Sequence, residues 1–183
     1  MLFRSYMKAT GIVRRIDDLG RVVIPKEIRR TMRIREGDPL EIFTGVGGEV
    51  VFKKYSPIGE LAGIASQYAE ALAGSVKLPI LICDRDHCVA AAGLSKKEVL
   101  ERRVTPALEE ICEQRRSVSF DSSRSVDALE GLKRDIRVAV PIINGGDICG
   151  AVVLVSDEEG SSASETEIKL VSVAADFLGR QME

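Results

Sequence analysis

The sequence predicts an α+β protein built from two modules, and three observations support that prediction. In the first 55 residues, β-branched segments of alternating polarity flank one short helical segment. In the remainder, two stretches with apolar residues spaced 3, 4, 3, 4 bracket several strand-like segments, which indicates amphipathic helices around a sheet. Residues 1–55 hold 12 Lys and Arg against 7 Asp and Glu, a charge of +5, whereas residues 56–183 hold 14 against 21, a charge of −7. This asymmetry indicates two modules with different partners.

Composition excludes several classes of protein. The 183 residues are 45% hydrophobic and 30% charged, which is typical of a globular rather than a disordered chain. No apolar run approaches the roughly 18 residues of a membrane span. The first residues, MLFRSYMK, are too few and too polar for a secretory signal. The four cysteines have no metal-binding spacing, so we expect reduced thiols in a cytoplasmic protein without a metal.

The first module is predicted to fold in the order β-β-α-β-β. A turn at Asp17–Gly20 separates the first two strands, and Pro25 occupies the first position of the helix. A hairpin then closes the module across Gly45–Gly48. The predicted elements are strands Thr10–Ile16 and Arg21–Ile24, helix Lys26–Arg33, and strands Leu40–Thr44 and Glu49–Lys53.

A module of this size needs a partner. It has one short helix and no cysteine to cross-link it, so its own core is small. We therefore expect two chains to share one barrel-like core as an intertwined dimer. Two copies carry +10 on one compact body, a charge that attracts DNA.

The residues of this module resemble a known family. The segment from Met7 to Phe43, above all the run Asp-x-Leu-Gly-Arg-Val-Val-Ile-Pro that ends at Pro25, is similar to the DNA-binding domain of the AbrB-like transition-state regulators. The resemblance implies a swapped-hairpin β-barrel that is formed by a dimer and binds double-stranded DNA. Carried over by matching positions, the DNA-binding residues are Arg14, Arg21, Arg29 and Arg30, with Lys8 and Arg15 as further candidates.

Physical chemistry supports the same partner. Arginine offers a planar fork for phosphate oxygens and guanine edges, and the few aromatic residues make base stacking on single strands a poor fit. The alternative is a solvated charged face in which Asp17, Asp18 and Glu27 form ion pairs with some of the arginines. The density of basic residues together with the motif favours DNA binding. We assign no function to Met1–Tyr6.

Two predicted helices bracket the second module. Ser56 and Pro57 supply an N-cap and a first helical residue for a helix that ends near Gly74, and Ser164 with Glu167 supplies a capping box for the last helix. Their apolar stripes are Ile58, Leu61, Ala65, Tyr68 and Leu72, and Ile168, Val171, Ala175, Leu178 and Met182. Such helices pack together on one face of a sheet, and they are also suited to pair across a dimer as a helical bundle. The simpler alternative is that they only cover their own sheet.

Between these helices the sequence predicts an α+β sandwich with an antiparallel sheet. The turn Asn144–Asp147 is a strong hairpin signal. The predicted elements are strands Pro79–Cys83 and Cys88–Ala92, helices Lys96–Arg103 and Pro106–Arg116, and strands Ile136–Ile143 and Ile148–Val155.

The hairpin segment Val138–Leu154 resembles the closing hairpin of GAF domains, and the order of elements along Ser56–Glu183 agrees. An AbrB-like half (1–55) followed by a GAF-like half (56–183) is similar to a family of sporulation regulators of endospore-forming bacteria. The resemblance implies a homotetramer, in which GAF pairs join DNA-binding dimers, that activates and represses genes in the developing spore. We expect it to be cytoplasmic and nucleoid-associated.

GAF domains often hold a small ligand, which makes the second module a candidate site for a small-molecule effector. Candidate lining lies on Cys83–Ala92, on the Arg102–Arg116 helices and on the Ser- and Asp-rich loop Phe120–Leu132, which has the composition of a mobile lid. Arg124, Lys133 and Arg134 are candidate anion contacts, although such residues are more often solvated loop charges. No phosphate-binding loop or cyclic-nucleotide motif identifies the ligand, and we expect no cofactor.

Two other functions compete with DNA-dependent regulation. GAF-like methionine-sulfoxide reductases use pocket cysteines, for which Cys83, Cys88 and Cys112 are candidates, but that function leaves the arginine-rich module without a role. The single histidine, His87, is adjacent to Cys88 and therefore points to the opposite face of a strand. Some antitoxins share the AbrB-like hairpin, but they carry a short flexible tail rather than a globular domain. We therefore expect no catalytic residue and no enzyme.

Overall fold

The computed structural model describes residues 8–157 and 162–182. The chain divides into two compact units, Met1–Tyr55 and Ser56–Glu183. The segment Met1–Tyr6 and the first residue of the AbrB-like resemblance, Met7, lie outside the described residues.

The first unit contains one helix and one hairpin. Its elements are α1 (Lys26–Thr31), β1 (Leu40–Thr44) and β2 (Val50–Lys54). The two strands pair antiparallel in a register that places Ile42 opposite Phe52, as the hairpin prediction requires. The helix begins at Lys26, as predicted, with Pro25 as its N-cap rather than its first residue. It ends at Thr31, before the predicted Arg33, because Arg33 adopts a left-handed φ of 52°.

The two predicted strands Thr10–Ile16 and Arg21–Ile24 are not formed in the single chain. The turn between them is present, since the Asp17 N–H donates to the Arg21 carbonyl and the Gly20 N–H to the Asp17 carbonyl, both at 3.0 Å. A β-strand forms only when its backbone groups have a partner strand to pair with. The rest of the described first unit supplies none, so the prediction of these strands was wrong for an isolated chain.

The first unit also lacks a core of its own. Among residues 8–55, Pro25 alone is buried. Large apolar side chains are exposed instead: Ile12, Val13, Ile16, Leu19, Val22, Val23, Met32, Ile42, Phe43, Val46, Val50, Phe52 and Tyr55. Exposed apolar surface of this extent indicates an interaction surface.

The second unit is a sheet covered by helices and loops on its two faces. Its strands are β3 (Ile80–Asp84), β4 (Cys88–Ala92), β5 (Val118–Ser119), β6 (Ile136–Asn144) and β7 (Asp147–Val155). They are ordered β4-β3-β7-β6-β5, and every neighbouring pair is antiparallel. Its helices are α2 (Pro57–Glu60), α3 (Ala62–Val76), α4 (Lys96–Val99), α5 (Pro106–Glu113) and α6 (Glu165–Arg180).

Each face of the sheet has its own apolar core. On one face, α3 and α6 bury Ala65, Leu72, Val171 and Leu178 against the sheet. On the other, α4, α5 and the connecting loops bury a second group, which includes Leu108, Ile111 and Leu129. The apolar stripes predicted for the two bracketing helices therefore face the core.

Several element boundaries differ from prediction. The first helix of this unit is split at Leu61, where ψ is 16° rather than helical, so that Ser56 caps the short α2 and α3 follows. The helix predicted to Arg103 ends at Val99 and the one predicted to Arg116 ends at Glu113. The two-residue strand β5 was not predicted. The capping box at Ser164 is formed as predicted.

Candidate nucleic-acid interface and effector site

The turn at Asp17–Gly20 positions the first of the predicted DNA-binding arginines. The Asp17 carboxylate accepts hydrogen bonds from the Leu19 and Arg21 N–H groups at 3.0 and 2.8 Å, and it pairs with Arg21 Nε at 2.8 Å. These contacts hold the pKa of Asp17 below its ordinary value. The hydrogen bond from the Arg21 N–H has the largest effect, and the one from the Arg21 side chain has the next largest. The Arg21 side chain is 69% exposed, so its Nη groups face solvent beyond the ion pair.

Arg29 and Arg30 lie side by side on α1, where both are exposed. Arg29 Nε donates to the Ile24 carbonyl at 3.2 Å, which fixes the guanidinium over the start of the helix. The Arg30 side chain makes no ion pair with the described residues. The helix therefore presents two exposed cations, of which Arg29 is anchored to the Ile24 carbonyl.

Lys8, Arg14 and Arg15 lie on the segment before the turn and are exposed. Their side chains have no ion-pair partner in residues 8–157 and 162–182. Asp17 pairs with Arg21, but the predicted neutralisation of the other candidates by Asp18 or Glu27 is not observed in the described chain. A solvated, largely uncompensated basic surface is what counterion release on a duplex requires.

Other basic residues of this unit have structural contacts. Lys54 Nζ donates to the Arg33 carbonyl at 2.8 Å and lies 3.7 Å from Asp38 Oδ2, and Lys53 Nζ lies 5.3 Å from the Phe43 ring centroid. These contacts tie the hairpin to the segment after α1.

The second unit has an open cavity of about 510 Å³ beside β5. Arg116 and Arg124 line it together with Ser117 and Ser119, and its apolar lining comes from Ile111, Val118 and Phe120. The guanidinium of Arg124 lies 5.3 Å from the Phe120 ring centroid. Of the predicted lining, the α5 region and the Phe120–Leu132 loop contribute, whereas Cys83–Ala92 does not line this cavity.

Two further candidate anion contacts lie elsewhere. Lys133 is exposed, and Arg134 Nη1 lies 3.5 Å from the Ser156 carbonyl. Neither residue lines the cavity beside β5.

Arg137 on β6 was not among the predicted site residues. Only 2% of it is exposed. Its Nη1 donates to the Asp121 carbonyl at 3.2 Å, its Nη2 lies 3.6 Å from Asp135 Oδ2, and its buried Nε has no acceptor among the described residues. The feature of the sequence that could have indicated Arg137 is that it is the one charged residue in a largely apolar strand.

The cysteines are poorly suited to nucleophilic chemistry. Cys83 and Cys88 face each other across the β3–β4 pair, and both are fully buried. A side-chain hydrogen bond between Cys83 and Cys88, followed by burial, raises the pKa of the Cys83 thiol, and burial raises that of Cys112 to about 12. Burial also raises the pKa of Cys149. Because the thiolate is the reactive form, these environments suppress reactivity.

No group of three or more His, Cys, Asp and Glu side chains in the described part of the chain is arranged to hold a metal ion. No helix in residues 8–157 and 162–182 is long and apolar enough to cross a membrane.

Two known families match different parts of the chain, and their matches meet between residues 59 and 60, close to the boundary between the two units after Tyr55. The family described as stage V sporulation protein T C-terminal, transcription factor, matches residues 60–183. The family described as antidote-toxin recognition MazE, bacterial antitoxin, matches residues 13–59.

Two proteins of Bacillus subtilis (strain 168) are similar in sequence. Stage V sporulation protein T is 54% identical over 179 residues, which covers 97% of this chain and 99% of that protein. Transition state regulatory protein AbrB is 56% identical over 52 residues, which covers 28% of this chain and 53% of that protein.

Solved structures confirm the GAF fold predicted for the second unit. The GAF domain of a phosphoenolpyruvate-protein phosphotransferase from Coxiella burnetii aligns with a TM-score of 0.53 at 19% identity, covering 67% of this chain and 82% of that one. A type II free methionine-R-sulfoxide reductase from Thermoplasma acidophilum aligns with a TM-score of 0.53 at 15% identity, covering 68% and 94%. At these identities the likeness concerns the fold alone.

Proposed function

The chain belongs to the stage V sporulation protein T family of transcription factors, and we propose that it regulates sporulation genes by binding double-stranded DNA through its first unit. The observation that carries this proposal is the set of exposed arginines on a segment that is 56% identical to a transition state regulator. The sequence-based expectation of a sporulation regulator agrees with this membership. Activation of some genes and repression of others in the developing spore are parts of the same proposal.

Residues 1–55 are proposed as the DNA-binding domain. Arg14, Arg21, Arg29 and Arg30 contact DNA, and Lys8 and Arg15 add phosphate contacts. Arg29, held by the Ile24 carbonyl, is suited to a fixed contact, whereas the unpaired side chains are suited to phosphates along the backbone.

Dimerisation of this domain completes its fold in our proposal. The unpaired segments on either side of the Asp17–Gly20 turn and the exposed side chains of Ile42 and Phe52 supply backbone donors, acceptors and apolar surface for a second copy. Exchange of these segments between two chains gives the swapped-hairpin barrel, in which both chains contribute arginines to one DNA-binding surface.

Residues 56–183 are proposed to join two such dimers into a tetramer and to sense a small molecule. Support for assembly comes from α3 and α6, whose outer surface exposes Ile64, Leu170, Val173 and Phe177. We define these four residues, with Tyr68, as the outer apolar patch. Burial of the patch against a second copy removes it from water and forms a four-helix contact. A cytoplasmic, nucleoid-associated location follows from the proposed partner.

An enzyme activity is not part of the proposal. The fold shared with a sulfoxide reductase is one observation in favour of it, but the raised pKa values of Cys83 and Cys112 oppose a thiolate nucleophile. An antitoxin function has the match of residues 13–59 in its favour, yet the second unit is a folded domain rather than a flexible tail. Co-purification of a small toxin with the chain is the result that favours the antitoxin.

A binding measurement on the full chain tests the proposal. Fluorescence anisotropy compares a duplex from upstream of a sporulation gene with a duplex from within a coding region and with the single strands of the first. We expect the upstream duplex to bind most tightly and the single strands most weakly. Equal affinity for all of them, or no binding at low salt, contradicts the proposal. Comparison of transcripts from sporulating cells with and without the gene then identifies activated and repressed genes.

A further inference from the structure

Two consecutive residues of the second unit, Phe120 and Asp121, connect an arginine-lined cavity to Arg137. Arg137 is buried and has one N–H donor, Nε, without an acceptor among the described residues. Phe120 lines the cavity beside β5, and its N–H donates to the Arg137 carbonyl at 2.9 Å. The next residue, Asp121, accepts a hydrogen bond from Arg137 Nη1 through its own carbonyl. The wall of the cavity at Phe120 is therefore bonded to the Arg137 backbone, and the residue that follows it is bonded to the Arg137 guanidinium.

The charge of the cavity selects for anions. Two arginines line it, and no carboxylate of the described residues does. Arg116 is oriented by long contacts of 3.4 and 3.3 Å from its Nε and Nη2 to Gln114 Oε1, and Arg124 stacks over Phe120. A guanidinium presents a fork that matches the oxygens of a carboxylate or a phosphate.

The shape and polarity of the cavity point to more than a bare ion. Ile111, Val118 and Phe120 give it an apolar side, and its volume of about 510 Å³ lies within the range of small-molecule sites. A ligand with an oxyanion at one end and an apolar body at the other satisfies both kinds of lining.

Arg137 supplies the buried element of the site. A guanidinium that is 2% exposed, with an Nε donor that has no acceptor among the described residues, costs free energy in an apolar core. The Asp121 carbonyl that accepts from Arg137 Nη1 belongs to a short segment in which Ser123 and Arg124 both donate to Asp121. The segment is anchored at its end, where Ser125 Oγ donates to Asp135 Oδ1 at 2.6 Å, so residues 121–124 are the part that is able to move away from Arg137.

We propose that this cavity binds a small oxyanion, a carboxylate or a phosphate ester with an apolar body. Arg116 and Arg124 receive the oxyanion, and Asp121 gives way so that Arg137 Nε donates to the same group. The inference rests on the proposed sensing function of the second unit and names its ligand class. The binding is non-covalent, and the movement of residues 121–124 is the conformational response.

Three aromatic probes of similar size test the site in the full chain. Benzoate carries a carboxylate, phenyl phosphate a phosphate ester, and benzyl alcohol neither. Isothermal titration is expected to give at least one anion an affinity about tenfold above that of benzyl alcohol, as a charge-assisted contact predicts. The anion with the higher affinity distinguishes a carboxylate ligand from a phosphate ligand. Equal affinity of all three probes, or binding of none, overturns the proposal.

Substitutions inside and outside the cavity test whether the anion binds there. Arg124→Ala removes an exposed side chain and is expected to weaken the better anion about tenfold, whereas Lys133→Ala, an exposed charge outside the cavity, leaves it unchanged. Equal weakening in both variants indicates nonspecific charge attraction and overturns the proposal. Arg137→Lys keeps the charge but removes the fork, and is expected to lower anion affinity in a chain whose circular dichroism is unchanged. DNA affinity is measured on the same samples, so that failure of this site is distinguished from failure of DNA binding.

Discussion

The rings of Tyr68 on α3 and Phe177 on α6 stack with their centroids 5.1 Å apart and their planes inclined by 27°. The pair joins the two helices, and the half-buried Tyr68 also packs against the core that contains Leu72 and Leu178. Phe177 remains 37% exposed although it is stacked, and Val173 beside it is 58% exposed. An aromatic pair that is packed on one side and open on the other is suited to the centre of an interface.

Val173→Glu tests whether the outer apolar patch joins two copies. Val173 lies outside both cores, so the variant is expected to fold normally while a charge in the interface prevents its burial. Sedimentation velocity is expected to report a dimer in place of a tetramer. Lys97→Glu changes an exposed cation on α4, which covers the opposite face of the sheet, and as the control it is expected to retain the wild-type size. An unchanged tetramer in the Val173 variant refutes this role of the patch.

Arg14→Ala tests the basic surface of the first unit. The side chain is exposed and unpaired in the described chain, so its removal leaves the fold unchanged and takes away one phosphate-binding cation per protomer. In a plot of log affinity against log salt, the slope is expected to become shallower by about 0.9 for each phosphate that is no longer neutralised. Lys97→Ala, an exposed cation on α4 of the second unit, is expected to leave affinity and slope as in the wild type. Equal effects of the two changes mean that Arg14 has no specific role.

The sequence predicted the second unit better than the first, and the reason is physical. Local patterns determined the Ser164 capping box, the turn before Asp147 and the two core stripes, because each depends on contacts between residues of one chain. The β-branched pattern around the Asp17–Gly20 turn predicted strands that the single chain does not form, because the backbone there has no partner strand in the described first unit; in the proposed dimer the second chain supplies it.

The residues of the candidate sites also differ in how far the sequence could predict them. The exposed arginines followed from motif and charge, since neither needs tertiary contacts. The involvement of Arg137 could not be predicted, because it depends on the Asp121 carbonyl 16 positions earlier in the chain and on burial of the strand. The break at Leu61 was missed for a similar reason, since the apolar spacing continues through it.

Gly150→Ala tests the packing of the central strands. A β-carbon at this position on β7 would overlap the Cys83 carbonyl oxygen on β3, so backbone must move to admit it. We expect a decrease of about 2–3 kcal/mol in the free energy of unfolding, typical of overpacking in a core. Gly74→Ala is the matched control, because nothing lies within 4 Å of its β-carbon in α3. It is expected to stabilise the helix by about 0.5–1 kcal/mol. Urea denaturation of both variants measures the difference, and equal stabilities would show that the sheet relaxes freely.

Alkylation of the cysteines tests the absence of a thiolate nucleophile. With a pKa of about 12, Cys112 is thiolate in only about one molecule in 10⁴ at pH 8, against about one in ten for an ordinary thiol of pKa 9. A raised pKa means that the charged form is reached only as pH rises through the higher folded-state value. Iodoacetamide at pH 8 is therefore expected to leave Cys83 and Cys112 unmodified in the native chain, and to modify both after unfolding in urea, as mass spectrometry of peptides measures. Rapid modification of either cysteine in the native chain contradicts the absence of a thiolate nucleophile and favours the reductase function. Turnover of methionine sulfoxide by the wild type, and its loss in Cys112→Ser, would then establish that function.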